Sequence, residues 1–310
     1  MPPAVFYGSA SYPAGQRTGP VVTIGNFDGV HLGHQALLRR VRQRADELGV
    51  AACVYTFHPS PRQVLRPSTA VPPIQDLDDR IEALGRAGVD EVVVERFDHE
   101  LAAREPRWFA DEILARRLRC SAAVLGYDFR YGRRREGTVD MLREWLDVPV
   151  EQVEPLSVHG APVSSTRIRE LLLAGDVEEA AALLSRPHRL RGEVVAGDRR
   201  GRQLGFPTAN VAVGPVLRPP SGVYAVRVGL DHEEATRPAV ANLGTRPTFG
   251  DGDAPTVEVH LLDFSGDLYG RRVAVDFIAR LRDERRFDGV EQLVGQIRAD
   301  IDEARRRLAP

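Results

Sequence analysis

Two histidines three residues apart, inside a run of glycines, are the first place where this sequence could do chemistry. Residues 25–34 read GNFDGVHLGH, and Gly25, Gly29 and Gly33 would let the backbone approach a ligand closely. A β-branched VVTI run precedes them and a helical pattern follows, so the segment joins a strand to a helix. At such a junction the free N–H groups and positive end of the helix favour an anion. His31 and His34 could donate hydrogen bonds to a triphosphate and stabilise charge developing on its α-phosphate during substitution. The same pair could instead cap the helix or hold a metal.

Four further runs carry candidate chemistry. Residues 163–169 read VSSTRIR. Ser164 and Ser165 are good N-cap types, and a helix first turn with Arg167 and Arg169 beside it suits a β,γ-phosphate clamp. An ordinary capped surface helix fits the same run. Residues 126–132 read GYDFRYG. Asp128 could orient a polar group, and Phe129 or Tyr131 could stack on a ring; a strand-end turn with core aromatics is the plainer alternative. Residues 201–210 read GRQLGFPTAN. Thr208 and Asn210, two apart on an extended segment, would face one side, and their neutral oxygens suit Mg²⁺ that also takes phosphate oxygens. Backbone capping is the competing role. Residues 256–263 read TVEVHLLD. Alternation puts Val257, Val259 and Leu261 on one face and Glu258 and His260 on the other. Glu258 could then act as a general base on a hydroxyl, or merely face solvent.

The elements that must position these runs follow from periodicity. A chain of 310 residues favours two domains. In the first half, strands at 21–24, 50–57, 91–95 and 122–125 alternate with helices at 34–48, 77–87 and 106–118, which implies βαβ units and a parallel sheet. The 34–48 helix should bury Leu37, Leu38, Val41, Ala45 and Leu48. Two short helices, 167–173 and 177–184, break at Gly175. Beyond residue 185 the runs 190–195, 222–228, 238–243, 256–262 and 272–278 are short and β-rich, as in an antiparallel barrel. A closing helix at 290–308 would pack on it through Leu293, Val294, Ile297, Ile301 and Leu308.

Composition narrows the classes. Net charge is −2, so no overall basic field attracts nucleic acid or an anionic membrane. All 42 basic residues are arginine. A Walker-type lysine and Schiff-base chemistry are therefore excluded. The two cysteines, Cys53 and Cys120, sit in apolar runs and read as reduced core thiols, with no zinc-type spacing. The first residues do not read as a signal peptide, and no apolar run approaches the ~20 residues that span a bilayer. A cytoplasmic location is expected.

Taken together, GNFDGVHLGH and VSSTRIR resemble the paired phosphate motifs of the nucleotidyltransferase superfamily, in the form found in bacterial FAD synthetases. The strings GEVVAGDRRGRQLGFPTANV, GVYAV, VANLGTRPTFG, VEVHLLDFSGDLYG and LRDERRFDGVEQL resemble riboflavin kinase. In this order they identify the chain as a member of the bifunctional bacterial riboflavin kinase/FAD synthetase family. That resemblance implies a Rossmann-like α/β domain at 1–185 and a β-barrel kinase domain with a terminal helix at 186–310. It implies phosphorylation of riboflavin to FMN and adenylylation of FMN to FAD, with ATP and Mg²⁺. It implies catalytic roles for His31, His34 and Glu258. Gly25, Phe27, Asp28, Gly33, Asp128, Ser164, Ser165, Thr166 and Arg167 would bind nucleotide and flavin in the first domain. Gly205, Pro207, Thr208 and Asn210 would do so in the second, with Thr208 and Asn210 holding the metal. Riboflavin, FMN and ATP are the expected partners; nucleic acid and membrane are not, and a weak homo-oligomer is allowed. One departure stands out: in Phe57-His58-Pro59-Ser60-Pro61, Ser60 occupies the place of a histidine that relatives often carry. If that histidine has a functional role, either His58 replaces it or the role is lost, so both stay outside the catalytic set. The alternatives are loss of one activity, a non-catalytic flavin-binding regulator, and an adenylyltransferase acting on another phosphate ester such as phosphopantetheine.

Overall fold

The computed structural model describes residues 2–13, 15, 18–69, 71–197, 201, 204–231, 233, 235–244 and 256–309, with only the backbone of Thr256. Of the motif runs, residues 198–200, 202–203 and 245–250 lie outside the described residues. The chain divides into two compact units, residues 1–71 with 77–164 and residues 72–76 with 165–310.

The first unit is built on a six-stranded sheet. Its strands are β1 (Ala4–Tyr7), β2 (Val21–Ile24), β3 (Ala52–Phe57), β4 (Glu91–Glu95), β5 (Ala122–Gly126) and β6 (Val150–Val153), in the order β1-β4-β3-β2-β5-β6. Every neighbouring pair is parallel. Such a sheet is covered on both faces, which is why its strands are nearly continuous apolar runs. Helices α1 (Leu32–Leu48), α2 (Pro61–Leu65), α3 (Leu77–Arg86), α4 (His99–Ala103), α5 (Pro106–Trp108) and α6 (Val139–Trp145) connect or flank the strands. Val54, Val92, Val94 and Val124 pack with Leu38 and Val41 of α1 and Ala83 and Leu84 of α3. The alternate residues Cys53, Tyr55, Val93 and Leu125 pack with Phe109, Ile113 and Leu142 on the other face. The helix expected over 106–118 starts as α5 and widens over Phe109–Arg117. There the Leu118 N–H reaches the Ile113 carbonyl, five residues back, at 2.9 Å. A two-strand hairpin, β7 (Ser157–Val158) with β8 (Ala161–Pro162), ends the unit.

Helix α1 begins two residues earlier than its apolar pattern, and Leu37, Leu38, Val41 and Ala45 are buried as expected. Leu48 is instead 41% exposed. It is the last helical residue, and Gly49 at φ 65 turns the chain away immediately after it.

The second unit opens with α7 (Ser165–Ala174) and α8 (Val177–Leu184), separated at Gly175, whose φ of 83 stops the first helix. Six strands follow: β9 (His188–Val195), β10 (Ala209–Val213), β11 (Gly222–Leu230), β12 (Thr236–Leu243), β13 (Thr256–Leu261) and β14 (Arg272–Arg282). They close into a barrel in the order β10-β13-β12-β11-β14-β9, all antiparallel. The strand β10, which the sequence presented only as an extended motif, closes the ring between β9 and β13. Helix α9 (Val290–Leu308) packs Ala304 and Leu308 on Ala225 and Ala279 of the barrel wall. Its Asp300 is buried and accepts from both Nε and Nη2 of Arg282, at 2.9 and 2.7 Å.

Candidate active sites

In the first unit the chain runs outward from β2 through β3 to β4, whereas β5 returns to the other side of β2 and leads to β6. The strand order reverses between β2 and β5. In open parallel sheets this reversal opens a crevice beyond the carboxyl ends of the two strands, where ligands bind. The 25–34 run leaves β2 there and the 126–132 run leaves β5 there. Both runs therefore leave adjacent strands at that end of the sheet.

The 25–34 loop is held in an unusual shape. Phe27 at φ 49 and Val30 at φ 41 adopt the left-handed region, with Gly29 between them at φ 91. Non-glycine residues rarely do so, and such strain concentrates at functional sites. Phe27, Asp28, Val30 and His31 are all buried. His31 is the N-cap of α1, where its Nδ1 accepts the His34 N–H at 3.3 Å. With Nδ1 accepting, a neutral ring carries its proton on Nε2. The His31 and His34 rings stack with centroids 3.6 Å apart and planes 17° apart. Phe27 lies against His34 at 5.1 Å.

Gly33 explains itself by contact. A Cβ there would come within 3.2 Å of both the His31 ring and the Val163 carbonyl oxygen. The loop is thus packed against the residue that precedes Ser164, the last residue of the first unit. Ser165, Thr166 and Arg167 form the first turn of α7 in the second unit. There Arg167 Nη2 lies 3.3 Å from Glu179 of α8.

Beyond β5, Asp128 is exposed, its carboxylate 3.8 Å from where a Gly126 Cβ would stand. Tyr131 is buried in the core and stacks on Phe129 at 5.5 Å. Of the two aromatics considered for stacking on a ligand, Phe129 is the half-buried one. Ser60 has a structural partner: it caps α2, accepting the Gln63 N–H while Gln63 reaches back to the Ser60 N–H. The sequence reading missed Arg80. It is buried on α3, donating to the Asn26 carbonyl at 2.8 Å and to the Phe57 carbonyl at 3.1 Å. The Thr56 hydroxyl donates to the same Asn26 carbonyl at 3.3 Å.

In the barrel, Val257, Val259 and Leu261 are buried while Glu258 is exposed. The alternation places Glu258 on the outer face. Its cross-strand partner on β10 is Asn210 and on β12 is Asn242. Directly opposed residues in antiparallel strands share a face with Cβ atoms about 5 Å apart. The carboxylate is thus bracketed by two half-buried amides. Asn242 was not singled out from the sequence; its alternation between buried Ala241 and Leu243 was the available signal. Gly205, Pro207 and Thr208 are exposed just before β10. His260 ties this segment to β13 through its Nδ1, 2.8 Å from the Pro207 carbonyl, and Phe206 packs edge-on against its ring at 5.9 Å. Thr208 and Asn210 offer neutral oxygens, and Asn210 lies opposite the Glu258 carboxylate. No cluster of three His, Cys, Asp or Glu able to hold a metal occurs among the described residues. The donor set fits Mg²⁺, which binds few protein oxygens and shares the rest of its shell with phosphate and water.

Two family models match the chain, one in each half. Residues 14–167 match the FAD synthetase family and residues 184–308 match the riboflavin kinase family. The bifunctional riboflavin kinase/FMN adenylyltransferase of Pseudomonas fluorescens is 44% identical, covering 95% of this chain and 95% of its own length. That of Bacillus subtilis (strain 168) is 38% identical, covering 92% of this chain and 91% of its own. A solved structure described as a macrolide-efflux protein from Streptococcus pneumoniae superposes with a TM-score of 0.87 at 33% identity, covering 98% of this chain and 99% of that one. No helix among the described residues is long and apolar enough to cross a membrane. With both halves matched along nearly their full length, the chain belongs to the bifunctional riboflavin kinase/FMN adenylyltransferase family.

Proposed function

We infer that this chain catalyses two consecutive ATP-dependent steps, riboflavin plus ATP to FMN plus ADP, then FMN plus ATP to FAD plus pyrophosphate. The observation that carries the reading is the presence in one chain of both motif sets, each on the fold its chemistry needs. We assign adenylylation to residues 1–185 and phosphorylation to residues 186–310.

In adenylylation an FMN phosphate oxygen attacks the ATP α-phosphorus and the bond to pyrophosphate breaks. No protein nucleophile is needed; positioning and charge stabilisation do the work. His31, through Nε2, and His34 donate to the phosphate oxygens as negative charge builds. Gly25, Phe27, Asp28, Gly33 and Asp128 shape the nucleotide and flavin site. Ser164, Ser165, Thr166 and Arg167 serve the β,γ-phosphates. The Val163 carbonyl packed at Gly33 supports the part given to Ser164, the next residue of the same unit.

In phosphorylation Glu258 takes the proton of the ribityl 5′-hydroxyl, whose oxygen attacks the ATP γ-phosphorus as ADP leaves. Thr208 and Asn210 would hold Mg²⁺ with Gly205 and Pro207 shaping the turn. When bound, the ion neutralises phosphate charge. The setting is cytoplasmic, supported by the buried free thiols of Cys53 and Cys120. A net charge of −2 supports a role without nucleic acid or an anionic membrane surface. Self-association, where it occurs, is weak. Separate assays of riboflavin phosphorylation and FMN adenylylation on the purified chain test the assignment. Absence of either product refutes the corresponding half.

A further inference from the structure

We propose that Arg80 is a positioning residue for adenylyl transfer, acting through the backbone of the histidine loop. This rests on the reading of residues 25–34 as the triphosphate loop. Arg80 stands on α3, away from every motif run, yet its guanidinium is buried and directed to the carboxyl ends of two neighbouring strands. Nη1 donates to the Asn26 carbonyl at 2.8 Å and Nη2 to the Phe57 carbonyl at 3.1 Å. Asn26 is the second residue of the loop that follows β2, and Phe57 is the last residue of β3. One rigid planar group therefore spans the exits of both strands, its two donors fixed relative to each other as a flexible ammonium's are not.

The consequence reaches the histidines. Asn26 precedes Phe27 and Val30, whose left-handed backbone is what swings His31 into the N-cap of α1. A loop carrying such strain keeps its shape only when its surroundings over-determine it. Arg80 and the Thr56 hydroxyl, both on the Asn26 carbonyl, supply that constraint at the loop entrance. Loosening the entrance displaces the donors from the α-phosphate, and a misplacement of about 1 Å costs on the order of 100-fold in rate.

The test compares Arg80→Met, Arg80→Lys and His31→Ala in the full chain. Arg80→Met should lower kcat for FMN adenylylation on the order of 10- to 100-fold, with the ATP KM within about twofold. Riboflavin phosphorylation should be unchanged. Arg80→Lys, which can reach one carbonyl, should recover part of the loss. If Arg80→Met melts early, the kcat and KM of Arg80→Lys are read in its place. An adenylylation kcat within twofold of wild type in the folded variant, while His31→Ala is impaired, overturns the proposal. So does a loss that appears in KM alone. An unimpaired His31→Ala would instead overturn the loop reading beneath it.

Discussion

Glu258 stands directly opposite Asn210 across the β10–β13 ladder, the carboxylate and the amide on the same outer face of the barrel. The relationship joins the two runs to which the proposed kinase chemistry is assigned, although 47 residues of sequence lie between them. Replacing Glu258 with glutamine keeps the side-chain shape and removes the basic oxygen. Riboflavin phosphorylation should fall by about 10²- to 10⁴-fold. FAD formation from supplied FMN should be unaffected. Retained kinase turnover would show that another group takes the proton.

His31→Ala should cut FMN adenylylation by about 10²- to 10³-fold and leave riboflavin phosphorylation intact, because one preorganised donor to the developing charge is lost. Gly33→Ala should act in the same direction. Its Cβ would press on the His31 ring and the Val163 carbonyl, each at 3.2 Å. Steady-state assays of the two reactions distinguish these effects from general damage.

Ser60 should matter for stability and not for chemistry, since its hydroxyl caps α2. Ser60→Ala should cost about 1 kcal/mol of unfolding free energy in a denaturant titration. The adenylylation kcat should stay within about twofold of wild type. A much larger loss of FAD formation would give the serine a role in the reaction.

His188 gives the kinase unit a pH dependence of defined sign. It is fully buried, its Nε2 is 2.8 Å from the Leu217 carbonyl, and desolvation, aided by Arg186, lowers its pKa from 6.5 to about 4. The unfolded chain therefore binds this proton more readily. The stabilisation is complete above about 6.5 and is lost as pH falls toward about 4, by on the order of 3 kcal/mol. His188→Asn should flatten that part of the stability curve. An unchanged slope between those pH values would contradict the assignment.

The sheet and barrel were legible because their strands are continuous apolar runs or clean alternations, as at 91–95 and 256–261. Strands β1 and β6 were not, because they lie at the two edges of the sheet and carry no fully buried residue to mark them, and β10 begins inside a motif. The histidine loop could be found from its glycines and its place between strand and helix. Arg80 could not: a lone arginine on an amphipathic helix carries no local signal, and only the fold brings it to Asn26 and Phe57. Asn242 was hidden for a related reason, since register across the ladder, not spacing along the chain, sets it beside Glu258. Leu48 shows the reverse failure, where periodicity continued one residue beyond the point at which the backbone turns.

The most direct measurement is a time course of the purified chain with riboflavin, ATP and Mg²⁺, with flavins resolved by chromatography, run beside Glu258→Gln and His31→Ala. The account predicts FMN first and FAD after it in the wild type, riboflavin left unconverted by Glu258→Gln, and FMN accumulating without FAD in His31→Ala. FMN without FAD in the wild type, or flavin binding with neither product, would contradict it.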